Sequence, residues 1–297
     1  YPPGIAARCA NGISAFYVNT FHQLPILELR PFVDRLWGWE SVSQEVIPLP
    51  TLLPGTGAEL YFHYGEPFRI ETQGNRPYAA DRGHLFCIRR APVSLLPASG
   101  IGFVAVRFKI GMLHRFASIP ADELADCHLS AEDIWGRMGT CLSRNLSYAI
   151  EHEERIALIQ RFLVSHLKPE SADLLVERAM TLLYRQWSAL SIEALACTLG
   201  LGRRQLERRW KIFSGQSPSE VKGLIRFQQT VRGLMLDPSA NTTDLALACG
   251  YFDQAHFIRD FRHRTGLPPQ RYLRIAHAKT HFYNTPLRRI GILATPN

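Results

Sequence analysis

The chain has few of the features that mark metal sites, disulfide frameworks and membrane spans. Its six cysteines are scattered and form no C-x-x-C pair, so neither a zinc site nor a set of disulfides is expected, and the thiols fit a reducing cytoplasm. No signal peptide is apparent and no apolar run approaches about 18 residues, which predicts no membrane span. H-x-H pairs and G-x-S-x-G are also missing. We therefore expect no enzyme, no metal and no cofactor.

Positive charge is what the chain has in excess, and this charge lies in the second half. An apolar content of 46% and a charged content of 20% over 297 residues are typical of a globular protein large enough for two domains. Residues 1–170 contain 16 Lys and Arg against 17 Asp and Glu, whereas residues 171–297 contain 18 against 9. This asymmetry favours a nucleic-acid-binding second half beside a nearly neutral first half with another task.

Within the basic half, one helix-turn-helix pattern occurs twice. Ser191–Leu201 and Asn241–Tyr251 align at an offset of 50 residues, and the second turn is then one residue longer. After the turn, the second helices match at an offset of 51: Leu206, Arg208 and Trp210 with Phe257, Arg259 and Phe261. A unit of this length is one supersecondary element, and two helices joined by a tight Gly-containing turn are typical of proteins that bind DNA.

Two prolines bound a helical segment between the units. Pro218 suits the first turn of a helix and Asp237-Pro238 ends it, which predicts a rod about 28 Å long. Consecutive major-groove faces on one side of B-DNA lie about 34 Å apart. The rod therefore predicts two DNA-reading helices placed one turn of DNA apart.

The second helix of each unit has an apolar face and a polar face that can bind bases. Arg can hold guanine, Glu cytosine, Gln adenine, and an apolar side chain the methyl group of thymine. One alternative is a solvated surface on which Glu207 pairs with a nearby Arg, and another is that His256 is a packing residue. We predict a DNA-binding set on these faces: Arg203, Arg204, Glu207, Arg208, Gln254, Ala255, His256, Ile258, Arg259 and Arg262.

Gly250–Arg262, followed by Thr265–Tyr272, resembles the signature of the AraC family of transcription regulators. The resemblance covers roughly residues 171–275 and implies two helix-turn-helix units bridged by a long helix. It also implies double-stranded DNA and RNA polymerase as partners, and a cytoplasmic, nucleoid-associated protein. Three residues depart from the family pattern and are expected to lower stability rather than DNA binding: Gly202 at a usual Ser cap, Val221 at an aromatic position and Thr242 at a buried aliphatic position.

The first half has short apolar runs between Pro and Gly, which predict an all-β sandwich or barrel. Its stretches Arg30–Trp39 and Glu59–Gly65 resemble the cupin-like sensor domain of one AraC branch, which implies a small β-barrel followed by helices. Alternation places aromatic residues on common strand faces, where they form either an ordinary core or a pocket for a flat or apolar effector. The candidate pocket residues are Trp37, Trp39, Tyr61 and His63.

The predicted fold class is therefore α+β. We expect a cupin-like β-barrel over residues 1–110, helices over 111–168, a double helix-turn-helix domain over 171–280, capped at Ser171, and a tail over 281–297. The boundary is set by the break at Lys168-Pro169-Glu170. A helical stripe either packs on the barrel or pairs with a second copy of the chain: Ile156, Ile159, Leu163 and Leu167.

Three functions fit these features. The favoured one is a ligand-responsive transcription regulator, with activation as its expected mode. The second is a constitutive DNA-binding protein whose first domain only forms a homodimer. The third is an enzyme tethered to DNA, similar to a repair methyltransferase, for which Cys87 is the nearest candidate nucleophile although its apolar strand-like setting is unsuitable.

Overall fold

The structure is a computed structural model that describes residues 18–279, except residues 73, 88, 121, 122, 125, 169, 171 and 172. In this part of the chain, ten strands precede ten α-helices. The strands are β1 Val18–Gln23, β2 Val33–Ser41, β3 Thr51–Leu52, β4 Glu59–His63, β5 Arg69–Glu71, β6 Tyr78–Ala79, β7 Gly83–Phe86, β8 Val93–Leu95, β9 Gly102–Phe108 and β10 His128–Ser130. The predicted α+β fold class is confirmed.

The helices begin where the strands end. They are α1 Ala131–Trp135, α2 Arg137–Tyr148, α3 His152–His166, α4 Leu174–Arg185, α5 Ile192–Thr198, α6 Arg203–Ser214, α7 Pro218–Leu236, α8 Thr242–Ala248, α9 Gln254–Thr265 and α10 Pro269–His277. Short 3-10 turns occur at Leu27–Leu29 and Met112–Arg115. The predicted break at Pro169, the cap at Ser171 and the tail over 281–297 lie outside the described residues.

The strands form two antiparallel sheets. One has six strands in the order β1-β2-β9-β4-β7-β10, and the other has four in the order β3-β8-β5-β6. Among the described strands these sheets do not close into one barrel, which corrects the expectation of a barrel, although a cupin-like arrangement is compatible with them. Prolines flank the short strands β3 and β8, at Pro50, Pro54, Pro92 and Pro97. Pro50 directly precedes β3, an edge strand of the smaller sheet, and because proline lacks an N–H group it removes one donor from that edge.

The central strands of the six-stranded sheet, such as β4 and β7, are buried on both faces, since alternate side chains point to opposite sides of the sheet. On β4, Leu60 and Phe62 belong to a core shared with α2 and α3, whereas Tyr61 points to the core between the two sheets. The stripe on α3 packs into the first of these cores, where Ile159 and Leu163 are fully buried and Ile156 is 3% exposed. Packing on the sheet is therefore the observed alternative for this stripe, and Leu167 is partly buried beside it.

The C-terminal helices form two cores that α7 connects. Side chains of α4, α5 and α6 surround Trp210 in the first core, and side chains of α8, α9 and α10 surround Phe261 in the second. Helix α7 has the predicted bounds and begins with a capping box, in which Ser217 Oγ accepts the N–H of Glu220 at 3.2 Å. Each core also contains one residue from the first half of the chain: Ile110 in the first and Leu53 in the second.

Candidate nucleic-acid interface

The two reading helices, α6 and α9, have the same length of 12 residues but different N-caps. Helix α6 starts after Gly202, which has no side chain with which to cap it. Helix α9 starts after Asp253, whose Oδ1 accepts the N–H of His256 at 2.6 Å. Because a side-chain cap satisfies a free N–H group of the first turn, the start of α9 is better fixed than the start of α6.

On α6, the predicted polar face is partly engaged in ion pairs with the protein itself. Arg203 Nε donates to Glu207 Oε1 at 2.9 Å, and Arg203 Nη1 also contacts Glu193 on α5. Glu207 thus pairs with a nearby Arg, as one of the alternatives expected, and its contact with DNA stays a prediction. Arg204 and Arg208 are exposed and form no ion pair with any described residue.

A further pair on α6 was not predicted from the sequence. Arg209 donates two hydrogen bonds to Asp173, from Nε at 2.5 Å and from Nη2 at 2.6 Å. Asp173 also caps α4, so the pair joins the start of α4 to the middle of α6. Although burial opposes ionisation, these hydrogen bonds hold the pKa of Asp173 below its usual value. The 36 residues between the partners left no local signal for this contact.

On α9, the outward face consists of neutral and basic residues. Gln254, Ala255, Arg259 and Arg262 are exposed, as the sequence predicted. The one acidic residue of α9, Asp260, is turned to the protein: its Oδ2 accepts the Tyr251 hydroxyl at 2.6 Å and its Oδ1 accepts Arg264 Nε at 2.8 Å. The face presented to solvent therefore attracts anions.

Two of the predicted contact residues on α9 are half-buried, and their contact with DNA stays a prediction. Ile258 is half-buried and packs against the second core rather than standing free in solvent. It lies three positions before Phe261, about 60° away around the helix, and so borders the apolar face. His256 is also half-buried; its Nδ1 accepts the N–H of Phe252 at 3.4 Å, and its ring lies 5.2 Å from that of Tyr251. These contacts favour a packing role for His256.

Comparisons with known proteins agree with this geometry. A family described as a helix-turn-helix domain matches residues 195–275. The HTH-type transcriptional regulator ArgR of Pseudomonas aeruginosa is 28% identical over 117 residues, which are 39% of this chain and 33% of that protein. The chain thus spans about a third of the length of this relative. Residues 195–275 are a helix-turn-helix domain of the AraC type. The predicted resemblance to that family is confirmed for this segment.

Two solved structures are also similar. A transcriptional regulator of Chromobacterium violaceum with an AraC-type DNA-binding domain is 28% identical, with a TM-score of 0.32, over 36% of this chain and 95% of that one. ToxT of Vibrio cholerae is 12% identical, with a TM-score of 0.45, over 88% of this chain and 98% of that one.

A buried ionic cluster attaches α4, which packs on α5 and α6, to the segment that follows β9. Arg115 donates to Glu177 of α4 from Nε at 2.8 Å and from Nη2 at 3.3 Å, and His114 Nε2 lies 2.9 Å from the same carboxylate. The Arg115 guanidinium also lies 5.0 Å from the Phe32 ring centroid, and its Nη1 donates to the Lys168 carbonyl at 2.9 Å. No local pattern indicated this cluster, because Arg115 and Glu177 are 62 residues apart along the chain.

The four candidate effector residues all lie in the core between the two sheets. Trp37, Trp39, Tyr61 and His63 are between 0% and 4% exposed. Trp37 contacts the Phe103 ring edge to face at 5.3 Å, as is common in aromatic cores. Burial, followed by the nearby charge of Arg82, lowers the pKa of His63 to about 3, so its imidazole is neutral. Their burial on one face agrees with the alternation, and their role in a pocket stays a prediction.

The chemistry of Cys87 argues against a nucleophilic role. Its side chain is buried, and burial together with Cys127 raises the pKa of the thiol to about 12. A thiol with so high a pKa is almost never a thiolate near neutral pH. Among the described residues, no group of three His, Cys, Asp or Glu side chains could hold a metal ion. In the same part of the chain, no helix combines the length and apolar character needed to cross a membrane.

Proposed function

We propose that the protein is a sequence-specific transcription regulator whose two reading helices enter successive major grooves of double-stranded DNA. The observation that carries this proposal is the placement of α6 and α9 at the two ends of α7, each with exposed Arg or Gln side chains in its first turns. The 19 residues of α7 give a rigid spacer of about 28 Å, close to one turn of B-DNA. Residues 171–280 are the proposed DNA-binding domain.

The sheet region, which lies within the predicted domain over residues 1–110, is proposed to receive a small-molecule effector. Two places can hold it: the aromatic core around Tyr61, after repacking, or a cavity of about 180 Å³ between the β3–β8 edge and α10. Binding at either place would change DNA affinity through the contacts that Ile110, Leu53 and Glu177 make between the two halves. Coupling of this kind is reciprocal, so DNA would also change effector affinity.

The DNA-binding proposal is tested by selecting bound duplexes from a random pool and then changing the spacing within the preferred site. Inserting about five base pairs between the two contacted segments turns one groove to the opposite side of the duplex. We expect specific binding to fall to the level of a scrambled duplex. Unchanged affinity after the insertion would show that only one helix contacts bases.

A second candidate is a constitutive regulator whose first domain only supports dimerisation. The near-complete burial of the four aromatic candidates favours it, because a preformed pocket would expose part of its lining. A screen of metabolites by thermal unfolding separates the two, because an effector that binds the folded chain raises its melting temperature with concentration. Stabilisation by one metabolite class supports the sensor, and sedimentation as a dimer with no stabilisation supports the alternative.

The remaining partners follow from this assignment. Activation would require contact with RNA polymerase, which transcription in a purified system with and without the chain can measure. Helices over residues 111–168 are the proposed place for contact with a second copy. The stripe on α3 is buried against the sheet, so a seam between copies would use other side chains of α2 and α3.

A further inference from the structure

The turn that precedes α9 exposes a large apolar ring. Phe252 is 87% exposed, the highest value among the large apolar side chains that the structure describes. Isolated apolar residues on a surface are common and carry no conclusion by themselves. Phe252 differs from such isolated residues because it directly precedes the N-cap of a reading helix, the end of the helix that contacts base edges.

Phe252 is the extra residue that makes the second turn longer than the first. In the first unit, Leu201 is followed directly by Gly202, the N-cap of α6. In the second unit, Tyr251 is buried where the first turn has Leu201, and Asp253 is the N-cap. The insertion therefore adds an exposed ring between an apolar residue that packs inward and the N-cap of the reading helix, two positions that both turns retain.

The backbone that carries Phe252 is fixed by several contacts. The Phe252 N–H donates to His256 Nδ1 at 3.4 Å, and the preceding Tyr251 is held by the hydrogen bond from its hydroxyl to Asp260. On the other side, Arg226 of α7 donates to the Gly250 carbonyl at 3.4 Å and lies 4.4 Å from the Tyr251 ring centroid. The turn thus presents the ring in a defined place, so that little order has to be gained on binding.

The surroundings of the ring are suited to DNA. Arg226, Arg259 and Arg262 supply positive charge near the turn and on the outward side of α9, whereas the carboxylate of Asp260 is engaged within the protein. Cationic side chains attract the phosphate backbone, and residues at the N-terminal end of a recognition helix reach base edges. In the major groove, the apolar feature that such a ring can contact is the methyl group of thymine.

We propose that Phe252 contacts the 5-methyl group of a thymine at the edge of the base pairs bound by α9, and so adds a specificity that the first unit lacks. This inference rests on the proposed function, because it requires α9 to enter the major groove. It assigns to Phe252 a direct role and to His256 a positioning role, through the hydrogen bond that holds the turn.

The test compares the full chain on its preferred duplex with duplexes in which one thymine at a time is replaced by deoxyuridine. This change removes only the methyl group and leaves base pairing intact. We expect one thymine at the edge of the α9 segment at which the replacement weakens binding about three- to fourfold, as expected for one buried methyl group. Phe252→Ala should bind the thymine duplex about as weakly and should no longer distinguish the two duplexes.

Two variants serve as controls. Phe252→Leu retains an apolar side chain and should keep part of the discrimination. Ile212→Ala removes another exposed apolar side chain, 66% exposed on α6, and should leave the discrimination unchanged. Circular dichroism should show the same helical content for all three variants, because the altered side chains lie at the surface.

The outcomes separate the proposal from its competitors. Equal weakening of thymine and deoxyuridine duplexes by Phe252→Ala would mean that the ring contacts the sugar-phosphate backbone, and would overturn the inference. Unchanged DNA binding with reduced transcription would assign the ring to a protein partner and would also overturn it. If the unaltered chain selects no DNA sequence at all, the proposed function itself fails, which is a different result from a chain that binds specifically but ignores the methyl group.

Discussion

The two helix-turn-helix units share one sequence pattern but differ in how they use their charged residues. In the first unit, Arg203, Glu207 and Arg209 form ion pairs with the protein. In the second, Arg259 and Arg262 point outward, and the single carboxylate of α9 is bound to Tyr251 and Arg264. Helix α6 therefore presents ion-paired side chains beside the free Arg204 and Arg208, whereas the outward arginines of α9, Arg259 and Arg262, form no ion pair with a described residue.

This difference indicates a division of roles. Exposed ion pairs contribute little to stability but restrict the side chains that form them. Part of the charge on α6 is therefore paired within the protein before any DNA binds. Helix α9, with its Asp253 cap and free arginines, can give more of its contacts to bases. We expect sequence preference to be stronger in the half of the site that α9 contacts.

The largest expected effect comes from removing the attachment of the first unit. Glu177→Ala leaves the buried Arg115 without its carboxylate partner. Breaking a buried pair by removing one member typically costs about 3–5 kcal/mol. Urea unfolding of the full chain should show a loss of this size, with the second unit less affected than the first in hydrogen exchange. A loss below about 1 kcal/mol would mean that water replaces the carboxylate and that the attachment depends on Ile110 and Leu53.

Removing one exposed arginine from each reading helix compares the units directly. Arg208→Ala and Arg259→Ala should each cost about 1–3 kcal/mol on the preferred duplex and much less on a scrambled one. Lys211→Ala is the matched control, since Lys211 lies at the flank of α6 and should weaken both duplexes alike. Binding measured at several salt concentrations gives these values. If Arg208→Ala weakens binding to both duplexes equally, the first unit contacts the sugar-phosphate backbone and does not distinguish bases.

The two N-caps provide a smaller contrast in stability. Asp253→Ala removes the acceptor for the His256 N–H and should cost about 1 kcal/mol. Gly202→Ser should instead gain a few tenths of a kcal/mol, since φ is −70° at Gly202 and no atom lies within 4 Å of an added Cβ. Thermal unfolding of both variants measures the pair of effects. A lower melting temperature for Gly202→Ser would show that the N-cap of α6 must be a residue without a side chain.

The smallest expected effect on DNA affinity comes from removing Arg203, which is paired with Glu207. Arg203→Ala frees Glu207, but the pair is exposed and screened, so DNA affinity should change by less than about threefold. Arg204→Ala, which removes a neighbouring arginine that forms no ion pair with a described residue, is the control and should cost more. Fluorescence anisotropy at low salt can resolve the difference. If Arg203→Ala is the more damaging of the two, the ion pairs break on DNA binding.

Local patterns in the sequence predicted much of the DNA-binding half. The bounds of α7, the caps at Ser191, Asn241 and Asp253 and the buried pair on each reading helix depend on residues within one or two turns of each other. Such features carry their own sequence signals, which is why the repeat was sufficient to find them.

Local sequence patterns did not predict the contacts between residues that are far apart along the chain. Neither partner in the Arg209–Asp173 and Arg115–Glu177 pairs lies near the other along the chain, and Ile110 and Leu53 complete cores formed by helices far downstream. The barrel was expected from the short apolar runs and from the resemblance to a cupin-like domain. The division of the strands into two sheets depends on which strands pair, such as β2 and β4 each with β9, and a pattern of short apolar runs does not specify these distant partners.

The most direct test of the account is a base-by-base binding profile for Arg208→Ala and Arg259→Ala on every single-base variant of the preferred duplex. We expect each substitution to relax the preference at one or two base pairs, and the two affected positions to lie about ten base pairs apart. The same affected position for both variants, or no change of preference for either, would contradict the placement of α6 and α9 in successive major grooves.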